Sequence, residues 1–555
     1  MTPPPPSPRK AWRDRIVPFT LLALAIAISI VVRVRLLDAP LDRDEGEHGY
    51  LARMLLAGHA PWQAAYSLRL PGTDALYAAA MAVFGQTARA IRILLLLIDT
   101  LTIFLVVLVG RRLFGTPAGA LAGAAFALMA CSQGVAGTIA HSPHFVIFFA
   151  LWATLLALEA GGRSRVILFS GLLYGIAFLM KQPGLAFAVA GGLYLAAECY
   201  TSRLPIPASL KRGACFVAGV AVPYAALCLA LWRAGTFPRF WFWTNTLVQG
   251  YASQLPLDVR LEAFGQGIAM AAGAPLYLWL LSAVGLILAV RNRATRHSAL
   301  FLTAFAVLSF LAVSAGGTFR NNYFVFLLPA VALGCGALLA AGGGAIDDLT
   351  ALVIPKVTRR RRAQLSFALP VVLAVLACIS PVANQQKYLF RMTPYEFARS
   401  TFGLNPYPEA ITIADYIRDH TKPDARLAIL GSEAEIYFYA HRQAATGYLA
   451  MYPLMEQGSY ALDCQKEVMR EIESARPEYL VFTVVVDSWH AHATSPRNIY
   501  LWADAYTKKD FDIEGVIDIV PGVPARYVWG RWAPNYLPRS SAYLVVYHRR
   551  AQIAQ

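Results

Sequence analysis

Charged residues are scarce in this sequence. Of 555 residues, 15% are Asp, Glu, Lys or Arg, against about a quarter in ordinary soluble domains. Acidic residues are the scarcer sign, 33 against 49 basic, and the formal net charge is +16. Cysteine excludes little of itself. Cys131, Cys199, Cys215, Cys228, Cys335 and Cys378 lie in apolar blocks, where the thiol behaves as a small hydrophobe. Only Cys464 falls in the polar C-terminal part. A disulfide within that part is therefore excluded, and cysteine pairing does not identify the compartment. There is no internal repeat, and low complexity is confined to the Pro-rich start. The first apolar block, residues 16–32, ends at Arg33 and Arg35 without a small-residue cleavage site. That argues against a cleaved signal peptide, and the block reads as a retained first membrane helix.

What is present is apolar. Hydrophobic residues make up 57% of the chain, gathered in blocks near the length that crosses a bilayer as a helix. Residues 166–180, 213–232 and 300–315 are examples. The basic residues gather between the blocks: Arg9-Lys10, Arg111-Arg112, Arg163 and Arg165, Lys211-Arg212, Arg291 to Arg296, and Arg359 to Arg362. That distribution marks cytoplasmic loops and argues against nucleic acid as a partner. With the N-terminus in the cytoplasm, residues 38–71 are external. The chain then crosses 11 times, or 13 if residues 72–110 cross three times. Either count places the C-terminus outside.

From about residue 384 the long apolar blocks stop. Residues 408–420 read as an amphipathic helix and 426–430 as a short buried strand. A helix is expected after Asp463 as its N-cap. Residues 479–486 give the strongest strand pattern, and 542–547 a last strand. The fold class is thus an α-helical polytopic membrane protein, about 11–13 transmembrane helices, with a small C-terminal α/β extracytoplasmic domain. The boundaries are 1–383, with the first external loop at 38–71, and 384–555.

The chemistry concentrates in the first external loop. It opens Leu41-Asp42-Arg43-Asp44-Glu45-Gly46-Glu47-His48-Gly49-Tyr50, and residues 50–58 read as an amphipathic helix suited to an interface. Pro61-Trp62 and Leu68-Arg69-Leu70-Pro71-Gly72 follow. The competing reading is a solvated polar linker. Further along, Phe178-Leu179-Met180-Lys181-Gln182-Pro183 ends a Gly-containing helix on the same external side. Lys181 is read either as an interfacial anchor or as a functional cation.

These segments together resemble the C-type glycosyltransferase superfamily, and within it the bacterial relatives of protein O-mannosyltransferases and of lipid A aminoarabinose transferases. That family carries an Asp-Glu pair after its first membrane helix, an interfacial helix, and then a Lys-Pro-Pro motif. Asp44-Glu45 match the pair. Arg69-Leu70-Pro71 stand at the third motif with Arg for Lys and Leu for the first Pro, which keeps a cation but changes how phosphate is held. Phe178–Gln182 resembles a family run, as does the Tyr-containing segment Arg320-Asn321-Asn322-Tyr323-Phe324. His141-Ser142-Pro143-His144 occupy the place where some relatives have a second acid. No acid stands there, which argues against a metal-bridging carboxylate pair. Residues 431–439 resemble the external domain of bacterial relatives. Asp99, inside an apolar block, reads as a packing or pairing residue, and His490-Ala491-His492 as a solvated loop.

The resemblance implies sugar transfer from a polyprenyl-phosphate carrier, with inversion, to an extracytoplasmic acceptor that is a glycan, lipid or protein. Asp44 is expected as the base with Glu45 supporting it. Arg69 and Lys181 would hold phosphate, and Tyr50, Arg320 and Tyr323 complete the substrate-binding set. Trp241, Trp243 and Tyr251, in the external segment 234–265, are expected to cover lipid or sugar. No cofactor is assigned, and a divalent metal is left open. The expected location is the inner (plasma) membrane. Two other readings compete. A transporter or flippase of a lipid-linked substrate would show internal repeats and a midplane site. A membrane-anchored binding protein would work through its soluble part alone.

Overall fold

The computed structural model describes residues 8–248, 256–353, 358–456 and 459–551. Among these, eight helices are long and apolar enough to cross a membrane. A ninth span is made if the pair Leu257–Gly273 and Leu276–Arg291, bent by 97° at its break, counts as one. The sequence count of 11 needs correction. Its eleven blocks all contain helix, but Thr116–Met129 and Ser164–Met180 have only 14 and 17 residues. At 1.5 Å per residue the first is about 21 Å long, short of a bilayer core of about 30 Å. Three crossings within residues 72–110 are not found. That stretch holds the 13-residue helix Gly72–Phe84 and one long helix, Ala88–Phe114. Pro275, N-cap of the helix that follows it, marks the 97° break in the block expected to be a single helix, since a proline ring does not fit a helix interior.

The chain divides into two compact units. The first comprises Met1–Leu37, Arg92–Leu227 and Leu255–Arg391. It is helical, as spanning structures must be where no water satisfies the backbone. Ala289, Ala299, Ala337 and Ala341 form one of its fully buried contacts. Small side chains let membrane helices approach closely.

The second unit comprises Asp38–Ile91, Cys228–Gln254 and Met392–Gln555. Its centre is a six-stranded mixed sheet in the order β2-β1-β3-β6-β4-β5. The strands are β1 (Arg426–Leu430), β2 (Gln443–Ala444), β3 (Tyr479–Val484), β4 (Phe511–Asp518), β5 (Arg526–Trp529) and β6 (Tyr543–Arg549). β1, β2 and β3 are parallel, while β6 runs antiparallel to both β3 and β4. The expected strands at 426–430, 479–486 and 542–547 are β1, β3 and β6, and the expected helix at 408–420 is Tyr407–His420. β3 ends two residues early because Val486–Trp489 turns into a short helix. Asp463 is not an N-cap: the helix runs Ser459–Ala475, and Asp463 pairs with Lys466 inside it, at 3.5 Å on the exposed face.

Residues 38–71, expected as the first external loop, are built into this unit. Tyr50, Leu51, Met54 and Ala65 share one buried cluster with Ile413, Leu427, Ile429, Tyr437 and Val481. The loop therefore shares the hydrophobic core of the sheet, and burying those side chains is what orders it.

Candidate active site

The acidic run folds as helix. α1 denotes the first helix, Pro8–Arg35, and α2 the helix Arg43–Leu56. α2 thus starts seven residues before the interfacial helix expected from residue 50. The cause is a capping box. The Asp42 side chain accepts from the Glu45 N–H at 2.9 Å, and the Glu45 carboxylate accepts from the Asp42 N–H at 3.2 Å. Two backbone donors that a helix start leaves unpaired are satisfied reciprocally. Asp44 and Glu45 also sit in the first turn, where carboxylates complement the helix dipole. Glu45, which is fully buried, spends one oxygen on this cap.

Asp44 and Glu47 are three residues apart and so share a face of α2. Arg69 reaches both. Its guanidinium donates to Asp44 Oδ1 at 2.6 Å and to Glu47 Oε2 at 3.1 Å. Burial acts to lower the Arg69 pKa, but the Asp44 and Glu47 carboxylates outweigh it and raise it well above its ordinary value. Asp44 and Arg69 each keep 19% of their side-chain surface accessible, against 7% for Glu47. The pair that solvent or substrate reaches is thus Asp44 and Arg69. Ser67 Oγ donates to Glu47 at 2.7 Å, and Trp62 Nε1 holds the Ser67 carbonyl at 3.0 Å. His48 Nδ1 lies 2.5 Å from Asp74 Oδ1, both buried. Sequence reasoning paired Asp44 with Glu45 and missed Glu47 and His48. The spacing of 44 and 47 would have found Glu47, once residues 43–49 were read as helix.

Tyr50, expected to bind substrate, is 1% exposed. Its hydroxyl accepts from the Ala444 N–H at 2.9 Å, and its ring packs on Tyr437 at 5.5 Å. Trp243 is likewise buried, between Tyr66 and Tyr448 at 5.4 and 5.0 Å. Trp241 is exposed, and Tyr251 lies outside the described residues.

The segment 431–435 grips α2 from the sheet side. Arg43 Nε donates to the Ser432 carbonyl at 3.0 Å and its Nη2 lies 3.3 Å from Glu433 Oε1. The other Glu433 oxygen accepts from Ser488 Oγ at 2.8 Å. Gly46 fits against Glu435 because it has no side chain. A Cβ there would stand 2.4 Å from the Glu435 nitrogen and 2.6 Å from its Cα. Backbone cannot move aside as a side chain can. Gly46→Ala is therefore expected to destabilise the protein by about 1–3 kcal/mol, the usual cost of overpacking, read as a lowered unfolding midpoint.

Glu435 is fully buried and, among the described residues, no side chain donates to its carboxylate oxygens. Burial first, and then the neighbouring Glu433 carboxylate, hold its pKa well above the ordinary carboxylate range. An acid raised in the folded state stabilises fully below its unfolded pKa, and that contribution is lost as pH rises through the folded value. Stability is expected to fall as pH is raised above about 4, by up to about 1.4 kcal/mol per unit. Glu435→Gln should flatten that slope in unfolding midpoints measured against pH.

The remaining sequence candidates, His490 apart, belong to the first unit. The Lys181 ammonium lies over the Tyr323 ring at 4.0 Å, a cation–π contact. Arg320 caps the short helix Asn321–Leu327. Asn322 and His141 are joined by a 3.1 Å side-chain contact. The 320–324 and 141–144 segments therefore meet, which spacing alone did not predict. Asp99 is a pairing residue: it is salt-bridged to Arg33 and lies 2.9 Å from His144 Nδ1. His490 packs on the Tyr452 ring at 5.2 Å. Among the described residues no group of three or more His, Cys, Asp or Glu side chains is placed to hold a metal ion.

Residues 69–236 match the family described as dolichyl-phosphate-mannose-protein mannosyltransferase. The match begins at Arg69, so the acidic start of α2 precedes it. No curated protein sequence matches the chain. Among solved structures, ArnT from Cupriavidus metallidurans bound to undecaprenyl phosphate matches with a TM-score of 0.57 at 17% identity, over 97% of this chain and 98% of that one. The apo state of the same protein gives 0.56 at 17%, over 94% and 97%. The archaeal oligosaccharyltransferase AglB from Archaeoglobus fulgidus, in complex with an inhibitory peptide and a dolichol-phosphate, gives 0.52 at 15%, over 94% and 75%.

The chain has the C-type membrane glycosyltransferase fold. The resemblance read from the sequence is borne out at that level, and the chain is a multi-pass membrane protein with a C-terminal α/β region around a mixed sheet.

Proposed function

We propose that this chain is a glycosyltransferase of the C-type membrane class that moves a sugar from a polyprenyl-phosphate carrier to an extracytoplasmic acceptor. The observation that carries the reading is the Arg69 bridge to Asp44 and Glu47 at the start of α2. It presents a reachable carboxylate beside a fixed cation. The solved relatives that hold undecaprenyl phosphate or dolichol-phosphate support the lipid carrier.

In the reaction Asp44 accepts the proton of the acceptor hydroxyl or amine as the acceptor atom bonds to the anomeric carbon. The bond from that carbon to the phosphate oxygen breaks, and its electron pair leaves with the polyprenyl phosphate. A single displacement inverts the anomeric centre. Arg69 meets the developing phosphate charge, where a pre-placed cation lowers the barrier. Glu47 holds the other side of the guanidinium, so Arg69 and Asp44 are oriented together. Glu45 acts through the cap of α2. Lys181, with Tyr323 beneath it and Arg320 at the N-cap of the helix that carries Tyr323, is a second cationic group suited by its chemistry to a phosphate. The chain lies in the inner membrane, with its N-terminus cytoplasmic and the sheet unit outside.

The test is transfer by the purified protein from radiolabelled polyprenyl-phosphate sugars to membrane extracts. Label in an extract product supports the reading. Label that only crosses between vesicle leaflets, unchanged, overturns it in favour of a lipid transporter.

A further inference from the structure

The sheet unit contains a second feature that the reaction above does not use. It is a polar groove of about 910 Å³ beside the end of the sheet. We propose that it is the binding site for a neutral, hydroxyl-rich oligosaccharide, the acceptor of the transfer. The proposal rests on the transferase reading.

The floor is tied by hydrogen bonds. Glu471 accepts from Tyr66 Oη at 2.9 Å, from Thr446 Oγ1 at 2.6 Å and from the Gly447 N–H at 2.9 Å. Burial holds the Glu471 carboxyl above its ordinary range. Glu467 accepts from Tyr448 Oη at 2.7 Å and from Arg239 at 3.1 Å, and Arg239 in turn lies 4.2 Å over the Tyr66 ring. A floor tied in this way keeps its shape when a ligand arrives, which removes part of the ordering cost of binding.

The lining discriminates among ligand classes. The lining carries charges of both signs, Arg426 and Arg470 with Glu467 and Glu471, and Glu467 is already paired with Arg239. Gln63, Gln443 and Ser474 add neutral donors and acceptors, the groups that pair with hydroxyls. Acyl chains do not suit so polar a surface. A peptide strand does not suit the sheet edge either. The lining strand β2 has two residues, whereas added strands draw their affinity from a run of backbone pairs. The volume is that of a site for a ligand larger than a single sugar.

The groove is joined to Asp44 by two short paths. Tyr66, in its floor, precedes Arg69 by three residues, about 10 Å of extended chain. Tyr50, in its wall, follows Asp44 by six residues of α2, about 9 Å along the axis. Asp44 and Arg69 are thus carried on the same two segments that line the groove.

The test uses the full-length protein in lipid nanodiscs on an array of neutral and acidic oligosaccharides, with short peptides beside them. Two variants are compared with wild type: Ser474→Trp, which puts an indole at the exposed rim, and Gln443→Ala, which removes one polar contact. Expected is retention of neutral oligosaccharides by wild type, weakened about tenfold or more in Ser474→Trp and to a lesser degree in Gln443→Ala. Binding of labelled polyprenyl phosphate should be equal in all three. Retention of acidic glycans or peptides alone, or of nothing, overturns the proposal, as does undiminished retention by both variants. The two readings fail separately. Transfer with an unchanged acceptor KM in both variants removes the groove and keeps the transferase. Groove binding by a protein that transfers nothing removes the transferase and keeps the groove.

Discussion

Asp44→Asn is expected to lower sugar transfer by about 10²–10⁴-fold, the usual share of a positioned general base, with the protein folded and the carrier lipid still bound. The substitution keeps the size of the side chain and an oxygen that accepts from Arg69. It removes the carboxylate proposed to take the proton. Asp44 has 19% of its side-chain surface accessible, so the change leaves no buried group stranded and stability should move little. Glu47→Gln is the informative companion. Glu47 also holds Arg69, at 3.1 Å, but has less accessible surface than Asp44, so its loss should misplace Arg69 without removing the base. Single-turnover transfer, with carrier binding measured separately, distinguishes the two effects. Full transfer by folded Asp44→Asn would move the base elsewhere.

The largest expected loss of stability is for Glu433→Ala, about 3–5 kcal/mol. Breaking a buried ion pair from one side leaves the other charge uncompensated. Arg43 is 8% exposed and Glu433 is fully buried. Without Glu433, Arg43 keeps the Ser432 carbonyl at 3.0 Å and Asn405 Oδ1 at 3.4 Å, both neutral, and the nearby Glu435 carboxyl is still pushed toward its neutral form by burial. Ser488 Oγ also loses its acceptor. Chemical unfolding of the purified protein measures the loss. The double variant Arg43→Met with Glu433→Leu should recover much of it, since a buried pair replaced by apolar groups is often neutral. A loss below about 1 kcal/mol in Glu433→Ala would mean that Arg43 finds another partner, and that the 431–435 turn does not anchor α2.

Local pattern carried far in this protein. The apolar blocks gave every long helix, because a span must satisfy its own backbone and expose apolar side chains to lipid. β1, β3 and β6 were legible because they alternate or bury continuously within a few residues. β4 was not. Its sequence, Phe-Asp-Ile-Glu-Gly-Val-Ile-Asp, mixes acids with apolar residues, and its pairing with β6 shifts register between Ile513 and Gly515. The acidic start of α2 reads as a loop in the sequence because its charge hides the helical period. Asp42 and Glu45 at capping-box spacing are the signal that overrides it.

The sequence by itself determined that the chain is membrane-spanning, that an α/β part follows, and that acidic residues cluster at 42–50 with a cation at 69. Those properties rest on composition and on neighbours within a few residues. Only the tertiary structure decided that Asp44 shares Arg69 with Glu47 rather than with Glu45, and that Tyr50 and Trp243 are packing residues. It also decided that Glu433 reaches back across 390 positions to Arg43. Contacts of that kind are fixed by which faces the buried core brings together, and no local pattern encodes the partner of a side chain so distant in the chain.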